Sequence, residues 1–214
     1  MEATFWHDRW ESNQIAFHEG RPNPLLVAHI DALGLQPGAR VFVPLCGKTA
    51  DIPWLLSQGF RVAGAELSEI AIRQLFDDLG RDPLVTPADE IDHHATDDID
   101  VFVGDIFELT QEHLGPVDAV YDRAALVALP ADMRRRYARY LAAITGRAPQ
   151  LVITYEYDQR TMDGPPFSVS EAELRDHYGA DYEISGLFGE AVPGGLKGKY
   201  PARESLWHLR TAVS

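Results

Sequence analysis

Cysteine is nearly missing from this sequence: Cys46 is the single one among 214 residues. One thiol excludes an intramolecular disulfide and a thiolate-based metal site, and it fits a reducing compartment. Long apolar runs are missing as well. No stretch approaches the roughly 18 apolar residues of a spanning helix, and the polar start MEATFWHDRWESNQ lacks the continuous apolar core of a secretory leader. The expectation is a cytoplasmic, monomeric protein with no membrane partner. Basic residues are outnumbered, 19 Lys and Arg against 33 Asp and Glu, for a net charge of −14. Binding a phosphate backbone starts from a basic face, so a nucleic-acid partner is not expected. The one basic cluster, Arg134, Arg135, Arg136 and Arg139, is interleaved with Tyr137, Tyr140 and Leu141. That spacing fits the solvated side of an amphipathic helix.

What is present is ordinary for a globular chain: 45% apolar residues and 24% charged ones. The length suits one domain over residues 1–214, because single cores stop growing only near roughly 250–300 residues. From residue 25 onward helical and strand patterns alternate, the mark of crossover units around a mostly parallel sheet. Strands are expected at 40–45, 60–65, 99–103, 117–121 and 151–155, with helices at 24–33, 51–57, 68–79, 110–114 and 131–145. The last third changes character: a helix over 171–178 capped by Ser170, then strands at 182–188 and 205–211 joined by a Gly- and Pro-rich connection. The expected fold is α/β, Rossmann-like, with a seven-stranded mostly parallel sheet, helices on both faces and a C-terminal antiparallel hairpin. By analogy of fold, five crossover-linked strands with an appended antiparallel pair resemble the arrangement of many methyl-transferring enzymes, the class I methyltransferases.

The stretch VFVPLCGKTADIPWLLSQGFRVAGAE, residues 41–66, carries the chemistry. A buried strand leads into a turn where Gly47 lets backbone approach a ligand, and Glu66 follows about twenty residues on, where such folds place an acceptor for ribose hydroxyls. A strand-ending acid also caps helices, so Glu66 has a purely structural reading too. Gly47-Lys48-Thr49 is not a triphosphate loop, since Phe42 stands where its first glycine belongs. Nor can residues 45–50 be laid over G-x-G-x-x-G, which disfavours a nicotinamide dinucleotide. S-adenosylmethionine, an adenosine without phosphate, satisfies both constraints. Asp105, ending VFVGD, could accept from an adenine amino group.

Asp122 and Arg123 fall on the same carboxyl-end edge. They either pair structurally, with each other or with a helix, or place Arg123 beside the transferring group, where it can bind an anionic acceptor. Trp6, Trp10 and Phe17 recur at helical spacing. Such a stripe either packs in the core or, ahead of the first strand, covers the cofactor site, where aromatic faces attract a sulfonium cation. The tandem His93-His94 lacks ligand company and is not read as a metal site. Cys46 has no neighbour that would activate it as a nucleophile.

Taken together, FWHDRWESNQIAFHEG, VFVPLCGKTADIPWL, GFRVAGAELSEIAI, VDAVYDRAALVALP and GPPFSV resemble the thiopurine S-methyltransferase family nearly end to end. The resemblance implies S-adenosylmethionine bound by Trp10, Leu45, Glu66 and Arg123, with Trp6 and Phe17 in a cover formed by residues 1–24 and Asp105-Ile106 near the adenine. It further implies acceptor contacts from Phe17, Arg123, Pro166 and Phe167, methylation of aromatic or heterocyclic thiols such as thiopurines, and S-adenosylhomocysteine as product. Arg123 is the expected positioning group for catalysis. Selenium or tellurium species are the alternative acceptors, and a non-catalytic cofactor-binding protein is the alternative outside enzymes. Residues 189–201 match the family least clearly.

Overall fold

The computed structural model describes residues 3–12, 19–88 and 90–212. Among them nine strands form one sheet: β1 (Arg40–Pro44), β2 (Arg61–Glu66), β3 (Leu84–Thr86), β4 (Ile91–Ala95), β5 (Ile99–Gly104), β6 (Ala119–Asp122), β7 (Gln150–Glu156), β8 (Tyr182–Ala191) and β9 (Arg203–Thr211). Their spatial order is β3-β4-β5-β2-β1-β6-β7-β9-β8. The five central strands run parallel, while β4 on one flank and β9 on the other turn antiparallel. The helices are α1 (Ala3–Glu11), α2 (Pro24–His29), α3 (Asp51–Ser57), α4 (Glu69–Leu79), α5 (Gln111–Leu114), α6 (Ala131–Ile144) and α7 (Glu171–Tyr178).

The expected seven strands are all there, and β3 and β4 extend the sheet beyond them. Neither carried a strand signal. Leu84 and Val85 of β3 are exposed, and β4 reads IDHHA, with His93 stacked on Phe102 at 4.8 Å and His94 packed near Phe76 at 6.4 Å. The two imidazoles thus fill positions that an apolar alternation would normally announce.

Strand alternation divides the core into two layers. Val41 and Val43 face one cluster with Val62, Val101 and Leu151, and Phe42 faces the other with Ala63, Phe102 and Val152. Both sheet faces are covered, which is why the parallel strands read as unbroken apolar runs. Each wholly buried aliphatic or aromatic side chain contributes about 1.5–3 kcal/mol. Helix ends follow local chemistry: Ser68 Oγ accepts from Ala71 N at 3.3 Å to start α4, and Gly80 closes it.

The solvated-face reading of the arginine cluster holds for Arg135, Arg136 and Arg139 and fails for Arg134. Position 134 shares a helical face with Tyr137, Ala138 and Leu141, all buried. Its guanidinium is satisfied inside, Nε donating to Glu173 Oε1 at 2.7 Å and Nη1 to Leu129 O at 2.9 Å. This joins α6 to α7.

Candidate functional site

The strand order reverses between β1 and β6, and at such a switch point the connections leave in opposite directions and open a crevice at the carboxyl ends. A cavity of about 510 Å³ lies there. Its floor comes from the residues that end five strands: Leu45 after β1, Glu66 in β2, Asp105 after β5, Arg123 after β6 and Tyr155 in β7. Two backbone positions at this edge are left-handed without being glycine, Leu45 at φ 46° and Ala124 at φ 62°. Such conformations cost about 1–3 kcal/mol each and persist only where the surroundings impose them.

Gly47 has φ 50°, and a Cβ placed there would lie 3.0 Å from Cζ2 of Trp10. The indole therefore rests on bare backbone, and the turn is closed on one side by α1. Trp6 and Trp10, four residues apart on α1, both line the cavity. Phe17 falls outside the described residues.

Glu66 is buried at 7% exposure. Its Oε2 accepts from Gly47 N at 2.8 Å and its Oε1 from Ser68 N at 2.9 Å. Burial pushes its carboxyl above the ordinary glutamate range, against the pull of the Ser68, Gly47 and Leu67 amides. A carboxylate offers about four lone-pair sites, so two amide bonds leave capacity for ribose hydroxyls. The cap of α4 is Ser68 and not Glu66; the structural duty of Glu66 is to tie the Gly47 turn to the residue that caps the helix, and that duty is compatible with a ligand role. Asp105 also has a local duty: Oδ1 accepts from Phe107 N at 3.0 Å and starts the short turn Ile106–Glu108. Both Asp105 and Ile106 line the cavity.

Asp122 and Arg123 take separate partners. Asp122 points into the core, where Oδ1 accepts from Leu126 N at 3.0 Å and Oδ2 from Tyr137 Oη at 2.7 Å. Burial raises its pKa from 3.8 to about 6. Arg123 points into the cavity and pairs through Nη2 with Glu19 Oε1 at 2.9 Å. Burial lowers the Arg123 pKa, but Asp51, Glu19, Tyr121 and Tyr155 outweigh it and the net shift is upward. The guanidinium stays charged.

Pro166 lines the cavity together with Pro165. Phe167 is not among the lining residues: its amide donates to Val127 O at 2.6 Å, and its ring lies 5.9 Å from the Arg134 guanidinium. It anchors the loop whose prolines face inward. Sequence reasoning missed Glu19, Tyr155, Met133, Leu196 and Lys197, which also line the cavity. Tyr155 could have been found, since it sits near the end of a core strand on the same edge as Arg123. Leu196 and Lys197 arrive on a loop closed by paired bonds between Leu196 and Tyr200, at 2.8 and 3.0 Å, and no local pattern marks it.

S-adenosylmethionine fits this donor set: a glycine turn with no phosphate cradle, a carboxylate for the ribose, and indole faces for the sulfonium. Cys46, at the turn and among the residues that line the cavity, is buried, and burial followed by the Glu66 charge pushes its thiol well up. It is inert as a nucleophile. Among the described residues no helix is long and apolar enough to cross a membrane.

Comparison with known proteins agrees with the geometry. The profile of the thiopurine S-methyltransferase family matches residues 1–194. A thiopurine S-methyltransferase of Xanthobacter autotrophicus is 57% identical over 213 residues, covering 99% of this chain and 100% of that protein. One of Gluconobacter oxydans is 49% identical over 207 residues, covering 97% and 94%. Among solved structures, the 1,6-didemethyltoxoflavin-N1-methyltransferase of Burkholderia thailandensis, with bound S-adenosylhomocysteine, superposes with TM-score 0.67 at 17% identity, covering 98% of this chain and 87% of that one. Magnesium protoporphyrin IX methyltransferase of Synechocystis PCC 6803 gives 0.65, also at 17%, covering 98% and 100%. The family profile over residues 1–194, the full-length identity of this degree and the shared fold place the chain in the thiopurine S-methyltransferase family of S-adenosylmethionine-dependent methyltransferases.

Proposed function

We propose that the chain transfers the methyl group of S-adenosylmethionine to the sulfur of small aromatic or heterocyclic thiols, thiopurines among them. The observation that supports this most is a buried cation, Arg123, facing the same cavity as the ribose-type acceptor Glu66. When bound, S-adenosylmethionine supplies an electrophilic methyl: the acceptor sulfur forms the new C–S bond as the sulfonium C–S bond breaks and keeps its electron pair in S-adenosylhomocysteine. Glu66 and the Gly47 turn hold the nucleoside end. Trp6 and Trp10 offer π faces worth about 0.5–2 kcal/mol to a sulfonium. Arg123 orients the acceptor anion, while apolar lining from Val127, Leu129 and Pro166 keeps water out of the cavity.

No strong base is required. Aromatic heterocyclic thiols supply thiolate near neutral pH, and a protonated thiol loses its proton to solvent on the way in. Alignment then supplies the rate, since reacting atoms held at near-attack distance gain far more than a solution encounter. Opposite charges cancel in the transition state, so an apolar cavity suits it.

The test is Arg123→Ala, with thiopurine methylation rates and calorimetry of S-adenosylhomocysteine. Turnover is expected to fall at least tenfold with cofactor affinity nearly retained. Unchanged turnover with weakened cofactor binding would remove Arg123 from the acceptor side. Thermal shift by S-adenosylhomocysteine and none by NAD is expected in parallel, because only a native-state ligand stabilises.

A further inference from the structure

Glu19 has no part in the reaction as derived, yet its carboxylate lies on the group that holds the acceptor. Glu19 Oε1 and Arg123 Nη2 are 2.9 Å apart, and the two side chains are unequally placed, 46% exposed for Glu19 and 11% for Arg123. The cation is fixed inside and its partner stands on the solvent side. Asp51, buried at 1% exposure, acts on the same cation through its charge. Asp51 is itself held by three bonds, accepting from Asn23 N at 2.6 Å, Thr49 Oγ1 at 3.1 Å and Tyr121 Oη at 3.2 Å. Tyr155, the other neighbour on this edge, donates to Glu204 Oε1 at 2.8 Å and stays protonated. Arg123 therefore feels one buried carboxylate, Asp51, and is paired with a second, Glu19, on the solvent side.

We propose that Glu19 is a specificity-determining residue: it occupies the side of Arg123 that an anionic substituent of the acceptor would take, and so biases the cavity against acceptors carrying a carboxylate. The reacting sulfur brings the same charge in either case and has the other guanidinium nitrogens to meet; an additional anionic substituent must displace Glu19 from Nη2 and replace its bond, whereas a neutral one leaves that pair intact. With Glu19 in place, a second carboxylate in the cavity would meet like charge, and like-charge juxtaposition is a common source of discrimination. The inference rests on the proposed transfer to thiols.

The experiment compares 3-mercaptobenzoate with 3-mercaptobenzamide, a pair matched in shape and thiol position, in the wild type, Glu19→Gln and Glu19→Asp. In Glu19→Gln the ratio of kcat/KM for benzoate over benzamide is expected to rise roughly fivefold, the scale of one partly exposed ion pair. Glu19→Asp, which keeps the charge, is expected to stay within about twofold of wild type on the same ion-pair scale. An unchanged ratio in Glu19→Gln, or an equal rise in both variants, overturns the role, since a merely structural residue would not distinguish charge from shape. Calorimetry of the methylated products, 3-(methylthio)benzoate and its amide, reads the same preference without turnover. If the wild type methylates neither thiol, the thiol reading fails instead, and an unchanged product preference in Glu19→Gln would then overturn the Glu19 role on its own.

Discussion

Replacing Glu66 tests the site at its most constrained point. The carboxylate accepts two main-chain bonds at 2.8 and 2.9 Å, from Gly47 and Ser68, in a buried environment. Glutamine keeps the volume but has one acceptor oxygen, so one of those N–H groups would face an amide NH2. An unsatisfied buried donor costs about 1–3 kcal/mol, and hydrogen bonds to a charged group contribute about 1.5–3 kcal/mol each. Glu66→Gln is therefore expected to lower stability by about 1–3 kcal/mol and to weaken S-adenosylhomocysteine binding by roughly 30-fold or more, about 2 kcal/mol. Glu66→Ala is expected to lose more on both counts. Calorimetry gives the affinity and urea unfolding the stability, measured on the same preparations. Stability loss with a Kd within about threefold of wild type would refute the ribose role and leave Glu66 as a structural tie between the Gly47 and Ser68 amides, since the binding loss expected is tenfold larger.

Gly47→Ala brings a Cβ to 3.0 Å from Trp10 at a left-handed backbone position; the expected result is about 1 kcal/mol of strain or more, a shifted indole emission and weaker cofactor binding, and unchanged emission would count against the contact. Asp122 has its folded pKa raised from 3.8 to about 6, so the native state holds the proton more tightly and stability falls as pH rises through that window. Asp122→Asn removes this loss, and its stability relative to wild type is expected to improve by up to about 3 kcal/mol between about pH 4 and about pH 7; parallel unfolding free energies across that range would refute it. The Cys46 thiol, buried and pushed up in pKa, is expected to resist thiol reagents in the native protein and to react once unfolded. Fast native labelling would show that the turn opens.

The five central strands were legible because both faces of the sheet are covered, which writes continuous apolar runs such as Val41 to Val43 into the chain. Four of the positions that line the cavity were legible for the same reason, since Gly47, Glu66, Asp105 and Arg123 all fall just where those runs end. The edge strands β3 and β4 were not, because exposed Leu84 and Val85 and the stacked His93 and His94 give no alternation. Arg134 was misread because a charge and a buried ion-pair partner look alike in one dimension, and Glu173 lies 39 residues away. The pairing of Glu19 with Arg123 was equally invisible. It joins the N-terminal segment to the end of β6, and only the folded chain brings them together.

Leu45 and Ala124 give the molecule an untapped reserve. Each holds a left-handed backbone that a side chain resists, and Ala124 has little side chain to lose. Glycine at position 124 would occupy that conformation freely, though it also loosens the unfolded chain. The protein thus keeps about 1–3 kcal/mol of backbone strain at each of these two positions of its cavity floor. Directed evolution toward bulkier acceptors, which usually erodes stability, could begin from a variant that has recovered it.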